Sequence, residues 1–502
     1  MNFLGQKVSA LQTFLVLILV LCIGLLSNHL WHGDVLIHTD VARDLLLIRE
    51  MVETKQLSLI GPRSSVPGIF HGPLWYFISL IPFVIVGGDP VLMGWFWWLI
   101  GVASVGIFWF VIQKATKNTT VSLLAAICFA LIEIPTSAGP TNTYLANLLA
   151  FVPFYFWWQW YKNPSQILSI LGWLTIGLLV QFQMAFAVPL ALLWLPIFIV
   201  KSYKDKQLKN IYTVLFFVLP LATFFLFDLR HDWLQVRSLL TYMQTNSVSN
   251  QTFGLKIIER ARQAFLAGGN VFHIAPWLNV AALIFFVITV FKSQNKSVKL
   301  EWLMLGYIYF GWWIVTLVFS GTIWSFYYDP FITIFLLVIS ITASHSKHAK
   351  LLFFFLCAWL LFKFSGNFSY KVDSFNSSSW VLLSSIAREA LSEADTGYFL
   401  YSQDQFAYPL KYAFTFYQQE HPKINASAYM KKPLTVLVKS ADDPQNPWST
   451  SGYWQTDRLG IRTEPDEIID YPHGYVLEKY HLDQKTMSEP VDPNLVTDLH
   501  FR

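Results

Sequence analysis

The chain has 502 residues, of which 54% are hydrophobic and only 13% charged, with a formal net charge of +4. A mean hydropathy of +0.45 with so few charges excludes an ordinary soluble globular protein and points to a polytopic membrane protein. The small positive charge, gathered as lysines in short loops, excludes a basic surface for nucleic acid. The three cysteines, Cys22, Cys128 and Cys357, all fall inside apolar runs, which excludes a loop-stapling disulfide framework or a spaced zinc site.

The first apolar run, 9–27, is too long for a cleavable signal core and reads as a retained first helix, with Lys7 holding the N-terminus in the cytoplasm. The stretch HTDVARDLLLIREM follows. Thr39 is the expected N-cap, and Val41, Leu45, Ile48 and Val52 then repeat at helical spacing as one apolar stripe. Asp40 and Asp44, four residues apart with Arg43 beside them, are expected to share the opposite face of an amphipathic helix on the outer membrane surface. That face has two readings: a pair of carboxylates turned into one cleft, or a solvated surface with local ion pairing.

In GIFHGPLWYF, residues 68–77, Gly72-Pro73 breaks the chain as it enters an apolar segment and leaves His71 at the lip, either as a ligand or proton carrier or as an interfacial hydrogen-bonder. The segment 73–88 is short and ends in Gly-Gly-Asp-Pro, which fits a re-entrant or interfacial helix. Further spans are expected at 91–112, 119–134, 143–160, 165–181, 184–200, 211–227, 277–291, 302–319, 328–343 and 350–366, eleven with the first. Placing Lys114/Lys117, Lys162, the Lys201–Lys209 cluster, Lys292/Lys296/Lys299 and Lys347/Lys350 in the cytoplasm leaves the intervening short connections free of Lys and Arg. Loops 29–90 and 228–276 and the tail then lie outside.

The exit of the seventh span reads FDLRHDWLQVR. Asp228, Arg230, His231, Asp232 and Arg237 crowd it, as a phosphate or cation site or as an anchor in lipid head groups. The outer connection Trp324–Pro330 reads as an aromatic belt. Beyond Gly366 the composition turns polar. SSSWVLLSSIAREALSEA is expected to be a capped helix, and GYFLYS and LTVLVKS strands, so 367–502 reads as an α/β domain after a membrane domain at 1–366.

Together these segments resemble the GT-C superfamily of membrane glycosyltransferases, in particular the bacterial family 39 group of protein mannosyltransferases and aminoarabinose transferases. The resemblance rests on Asp40-Val41-Ala42-Arg43-Asp44 with Arg49-Glu50-Met51, on His71-Gly72-Pro73, and on Phe227-Asp228-Leu229-Arg230-His231, in that order and topology. It implies an all-α polytopic bundle of about eleven transmembrane helices plus a re-entrant or interfacial helix, with an extracytoplasmic C-terminal α/β domain. It also implies a membrane-embedded enzyme that transfers a sugar from a polyprenyl-phosphate donor to an extracytoplasmic acceptor, with inversion. Asp40 takes the place of the family's catalytic aspartate, and Asp44 is accessory. Arg43, Arg230 and Arg237 are the expected donor-phosphate ligands. Where many relatives carry Asp-Glu this chain has Asp40-Val41, and no acid stands near His71, so a divalent metal ion would fall to His71 and His231. In the second outer loop Glu133 and Asn142 both remain open as the further polar residue. The competing readings are a transporter or flippase of lipid-linked sugars and an inactive relative that only binds.

Overall fold

The computed structural model describes residues 2–3, 6–7, 9–245, 253–268, 271–292, 296–319, 323–393, 395–445 and 450–497. Positions 246–252 and 269–270 of the expected outer loop 228–276 lie outside the described residues. So do 1, 4–5, 8, 293–295 and 320–322 of the bundle, and 394, 446–449 and 498–502 of the tail.

In chain order, β1 (Asn2–Phe3) and β2 (Gln6–Lys7) precede α1 (Ala10–Leu25), α2 (Asn28–Trp31), α3 (Thr39–Thr54), α4 (Leu74–Ile85), α5 (Pro90–Thr116) and α6 (Thr119–Glu133). Then come α7 (Asn142–Leu149), α8 (Phe151–Lys162), α9 (Gln166–Phe182), α10 (Met184–Lys204), α11 (Leu215–Val218) and α12 (Ala222–Arg230). They are followed by α13 (Leu234–Thr245), α14 (Phe253–Gly268), α15 (Pro276–Lys292), α16 (Lys296–Val315), α17 (Phe331–His345) and α18 (Lys347–Phe364). The tail adds α19 (Trp380–Ala390), β3 (Thr396–Tyr401), α20 (Tyr408–Glu420), β4 (Ser427–Ala428), β5 (Leu434–Lys439), α21 (Ser451–Tyr453), β6 (Glu467–Asp470), β7 (Val476–His481) and α22 (Gln484–Ser488).

Each expected span falls on helix. Pro90–Thr116, Thr119–Ala138, Met184–Lys204, Asn210–Arg230, Val298–Val318 and Lys347–Phe368 are long and apolar enough to cross a membrane, while α1, α9, α15 and α17 are somewhat shorter apolar helices. The seventh span is broken into 3-10 and α segments around Pro220, whose missing N–H interrupts the ladder. At 12 residues α4 is about 18 Å long, well short of a ~30 Å hydrocarbon core.

Contacts divide the chain into two units. The first comprises Met1–Asn28, Ser58–Ile78 and Trp97–Ser369; the second comprises His29–Leu57, Ser79–Phe96 and Tyr370–Arg502. Whereas the sequence reading draws one boundary at 366, the acidic stretch on α3 shares a unit with the tail.

In the first unit α6 is buried along nearly its whole length and packs against α1, α17 and α18. Its Ser122, Ala125, Ala126, Cys128 and Ala130 let neighbouring backbones approach, the feature that holds helices together where lipid is as apolar as leucine. Cys22, Cys128 and Cys357 are buried free thiols in this packing. A tryptophan core joins α8, α9 and α10: Trp157 stacks on Trp194 at 5.3 Å and meets Trp173 edge-on at 5.0 Å. Gly172 is required there, because a Cβ would stand 2.8 Å from the Trp157 ring.

In the second unit the sheet order is β4-β3-β5-β7-β6, with β3 parallel to β4 and β5 and β7 antiparallel to β5 and β6. The inner strand β3 is buried at every position, as expected of a strand covered on both faces. Phe399, Tyr401 and Leu437 enter one core with Trp454, Leu459 and Tyr480. On the other face Tyr398 packs on Phe414 of α20 at 4.7 Å. Helix α19 is capped by Ser379, as the sequence indicates. The carboxylate of Asp34, fully buried, accepts from Ser379 Oγ at 3.0 Å, from the Val381 backbone at 3.2 Å and from Tyr370 Oη at 2.8 Å. It thus binds the segment that leads into α3 to the first turn of α19, where a negative charge also complements the helix dipole.

Candidate functional site

Helix α3 differs from its expected form in two respects. The N-cap is His38, whose Nδ1 accepts from the Asp40 backbone at 3.2 Å, and Thr39 is already helical. More importantly, α3 packs along α20 and is not a two-faced surface helix. Val41, Leu45 and Ile48 are buried as the stripe predicts, but so are Arg43 and Asp44, while Val52 is exposed. The shared solvent face for Asp40 and Asp44 is therefore corrected: only the Asp40 carboxylate is open, its side chain 56% exposed against 4% for Asp44.

Arg43 joins the two. Its Nη1 donates to Asp40 Oδ1 at 2.6 Å, and its Nε and Nη2 donate to Asp44 Oδ1 at 2.9 and 2.7 Å. Charge-assisted bonds of this length are strong, and the fork geometry fixes the direction of the guanidinium. Asp44 anchors Arg43 in the interior, and Arg43 holds the Asp40 carboxylate at the helix N-terminus. Three of the five N–H groups of Arg43, the residue expected to meet a phosphate, are thus bonded to these carboxylates. Two turns on, Arg49 is buried with the Phe83 and Tyr412 rings 5.8 and 5.5 Å from its guanidinium, its Nη1 donating to Gln419.

The other two sequence signals meet inside the first unit. Residues 58–72 fold back on themselves: Gly61 N–H donates to His71 O and His71 N–H to Pro62 O, both at 2.8 Å. The crossing needs glycine twice. A Cβ on Gly61 would lie 2.0 Å from Gly72 O, and one on Gly72 would lie 1.8 Å from Gln181 Oε1. His71 itself is buried.

Next to it, Phe70 N–H donates to Gln235 Oε1 at 3.1 Å, the Gln235 backbone donates to Asp228 Oδ1 at 2.9 Å, and Phe70 meets the Phe227 ring edge-on at 5.9 Å. HGP and FDLRH therefore converge through Phe70, Gln235 and Asp228. His231 stacks on Phe227 at 4.1 Å and bonds its carbonyl through Nδ1 at 2.8 Å. Arg230 and Arg237 are exposed, and the turn between α12 and α13 holds Asp232 and Trp233 at φ 51 and 58°, strain of about 1–3 kcal/mol each. Among the described residues no group of three or more His, Cys, Asp or Glu side chains is gathered to hold a metal ion.

In the loop after α6, Asn142 donates to Phe182 O and is engaged in structure. Glu133 is buried, with the Asp329 carboxylate as its charged neighbour, an acidic residue that the aromatic-belt reading of Trp324–Pro330 passed over. The sequence reading also missed Gln181 and Gln235, the amides that tie the 58–72 fold in place; an amide inside an apolar span such as Gln181 is the available signal. It missed as well a groove of about 790 Å³ among α14, α15 and α16, walled by side chains such as Phe265, Ile284, Phe310 and Trp313, in which Arg260 is the one charged residue. Arg260 Nη2 bonds Phe319 O at 3.2 Å.

The fold has solved counterparts. The crystal structure of ArnT from Cupriavidus metallidurans in the apo state superposes with a TM-score of 0.56 and 12% identity over 93% of this chain and 97% of that one. The structure of ArnT from the same organism bound to undecaprenyl phosphate gives 0.58 and 11% over 96% and 100%. The chain has a GT-C-like fold. No family model matches the sequence, and no curated protein matches it. At this identity the GT-C likeness is one of architecture, and it covers the helical bundle and the C-terminal sheet alike.

Proposed function

We propose that the protein transfers a sugar from a polyprenyl-phosphate donor to an acceptor hydroxyl on the outer side of the cytoplasmic membrane, with inversion at the anomeric carbon. The observation that carries this reading is the Asp40–Arg43–Asp44 arrangement, one open carboxylate held by a buried, doubly bonded guanidinium. It occurs in a fold shared with a protein crystallised with undecaprenyl phosphate. An acceptor hydroxyl is a weak nucleophile, and Asp40 accepts its proton as it attacks. Asp44 and Arg43 orient that carboxylate. The departing phosphate gains charge, and Arg230 and Arg237 are the cations assigned to it. The apolar groove with Arg260 suits a prenyl chain. The N-terminus lies in the cytoplasm, with α3 and the C-terminal sheet outside.

The test is turnover of purified protein with a panel of undecaprenyl-phosphate sugars. Transfer by the native chain and its loss in Asp40→Asn, with an unchanged unfolding midpoint, is the expected result. Full turnover in Asp40→Asn removes the base assignment, and absence of transfer across the panel favours a lipid-sugar transporter or a binding protein.

A further inference from the structure

The second unit contains a crevice that the transfer chemistry does not use. Strand β3 has parallel neighbours on both sides, and the chain leaves its carboxyl end into α20, returns through β4 on one side and then runs through β5 on the other. Divergence of this kind opens a cleft at the carboxyl end of the strand, where α/β sheets place their ligands. A crevice of about 90 Å³ opens there, lined by Tyr401, Gln405, Tyr453, Trp454, Arg458 and Asn494 among others.

Its chemistry is specific. Tyr401 and Trp454, buried in the core of the sheet, stand 5.3 Å apart at 49° at the base of the crevice, and the half-exposed Tyr453 is the aromatic side chain open at its rim. Leu400, Leu495 and Val496 add aliphatic surface, and the Gln405 and Asn494 amides with the Ser402 and Thr450 hydroxyls supply the polar part. Its one charged side chain, Arg458, is paired with Asp492 at 2.8 Å. A neutral ligand with an apolar face and a polar rim fits such a surface, and the crevice lies well below the ~300 Å³ at which pockets begin to enclose a drug-sized ligand, so it takes no more than a single ring.

The loop between β3 and α20 is also held in a form the backbone rarely adopts, with Gln405 and Ala407 at φ 62 and 50°. The hydroxyl of Ser402 accepts from Ala407 N–H at 2.8 Å and Asp404 Oδ1 from Phe406 N–H at 3.0 Å. The other oxygen of Asp404 accepts from Thr39 Oγ1 at 3.3 Å, which ties the loop to the residue before Asp40.

We propose that this crevice binds one neutral pyranose ring at the end of a glycan. That the glycan is the acceptor rests on the transfer reading above; the binding itself does not. The experiment is saturation-transfer NMR on the full chain in nanodiscs with methyl β-glucopyranoside, methyl α-mannopyranoside and methyl β-galactopyranoside, and myo-inositol as the control. The expected result is transfer to the ring C–H protons of at least one glycoside and not to inositol. It should fall fivefold or more in Tyr453→Ala and in Gln405→Ala, with unfolding midpoints unchanged. No transfer from any glycoside, or equal transfer in native chain and both variants, overturns the proposal. Binding is read without turnover, so loss of transfer activity tests the proposed function and not this site.

Discussion

The acidic cluster on α3 and the junction of the 58–72 fold with α12 and α13 are both polar constructions in an apolar protein, built on different principles. On α3 the bonds are charged and local, running between residues one and three positions apart. At the junction the bonds are mostly neutral and reach across the chain, with Phe70 and Gln235 separated by 165 positions, and the charged partner among them is the buried Asp228 carboxylate, which accepts from the Gln235 backbone. The first needs only a helix to bring its groups together. The second exists only when two segments are already docked, so most of its groups are amides and backbone N–H, which can be buried without the desolvation penalty of a charge, and its one carboxylate is buried with a hydrogen bond.

The comparison can be broken at several points. The largest expected effect is on the open carboxylate: Asp40→Asn should slow transfer by ~100- to 10,000-fold, the usual range for a lost general base, in single-turnover assays with a lipid-phosphate sugar. Asp44→Asn should instead act on stability, by about 3 kcal/mol, since it strips a buried guanidinium of its main partner. Replacing both partners, Arg43→Met with Asp44→Leu, should recover much of that loss in denaturant melts while leaving transfer impaired. If the double variant is as unstable as Asp44→Asn, the ion pair is not the cause.

At the junction, Gly61→Ala should destabilise the first unit by roughly 3 kcal/mol, because the new methyl meets backbone and not a movable side chain. Gln235→Ala should cost about 1–2 kcal/mol by orphaning the Phe70 N–H, with local hydrogen exchange at Phe70 as the readout. The smallest effect is on pH. Asp492 is held below the usual carboxylate range by the Asn494 backbone N–H, the Asn494 side chain and Arg458. A depressed folded-state pKa gives stability that is present above the unfolded value near 3.9 and lost as pH falls through the folded one. The melting temperature of the second unit should therefore stay level above about pH 5 and begin to fall only below about pH 4.

These contrasts explain what could be read in the sequence. The spans, the capped helix at Trp380 and the strands at Thr396 and Leu434 follow from local hydropathy and period. The burial of Asp44 did not, because α3 packs along α20, and helical spacing cannot show a partner some 370 residues away. Likewise FDLRH and HGP drew attention to His71 and His231, while the residues that join the two segments are Phe70, Gln235 and Asp228. Their significance lies in a docking geometry, not in residue type.

Asp34 has a consequence in time. Its partner Ser379 is 345 positions later in the chain, so at synthesis rates of 5–20 residues per second the carboxylate waits on the order of 20–70 s for its hydrogen bonds. Until then the loop that carries Asp40 is missing a buried anchor. A chain that ends before Ser379 lacks these bonds, so the loop leading into α3 is fastened from within only once the tail has been made.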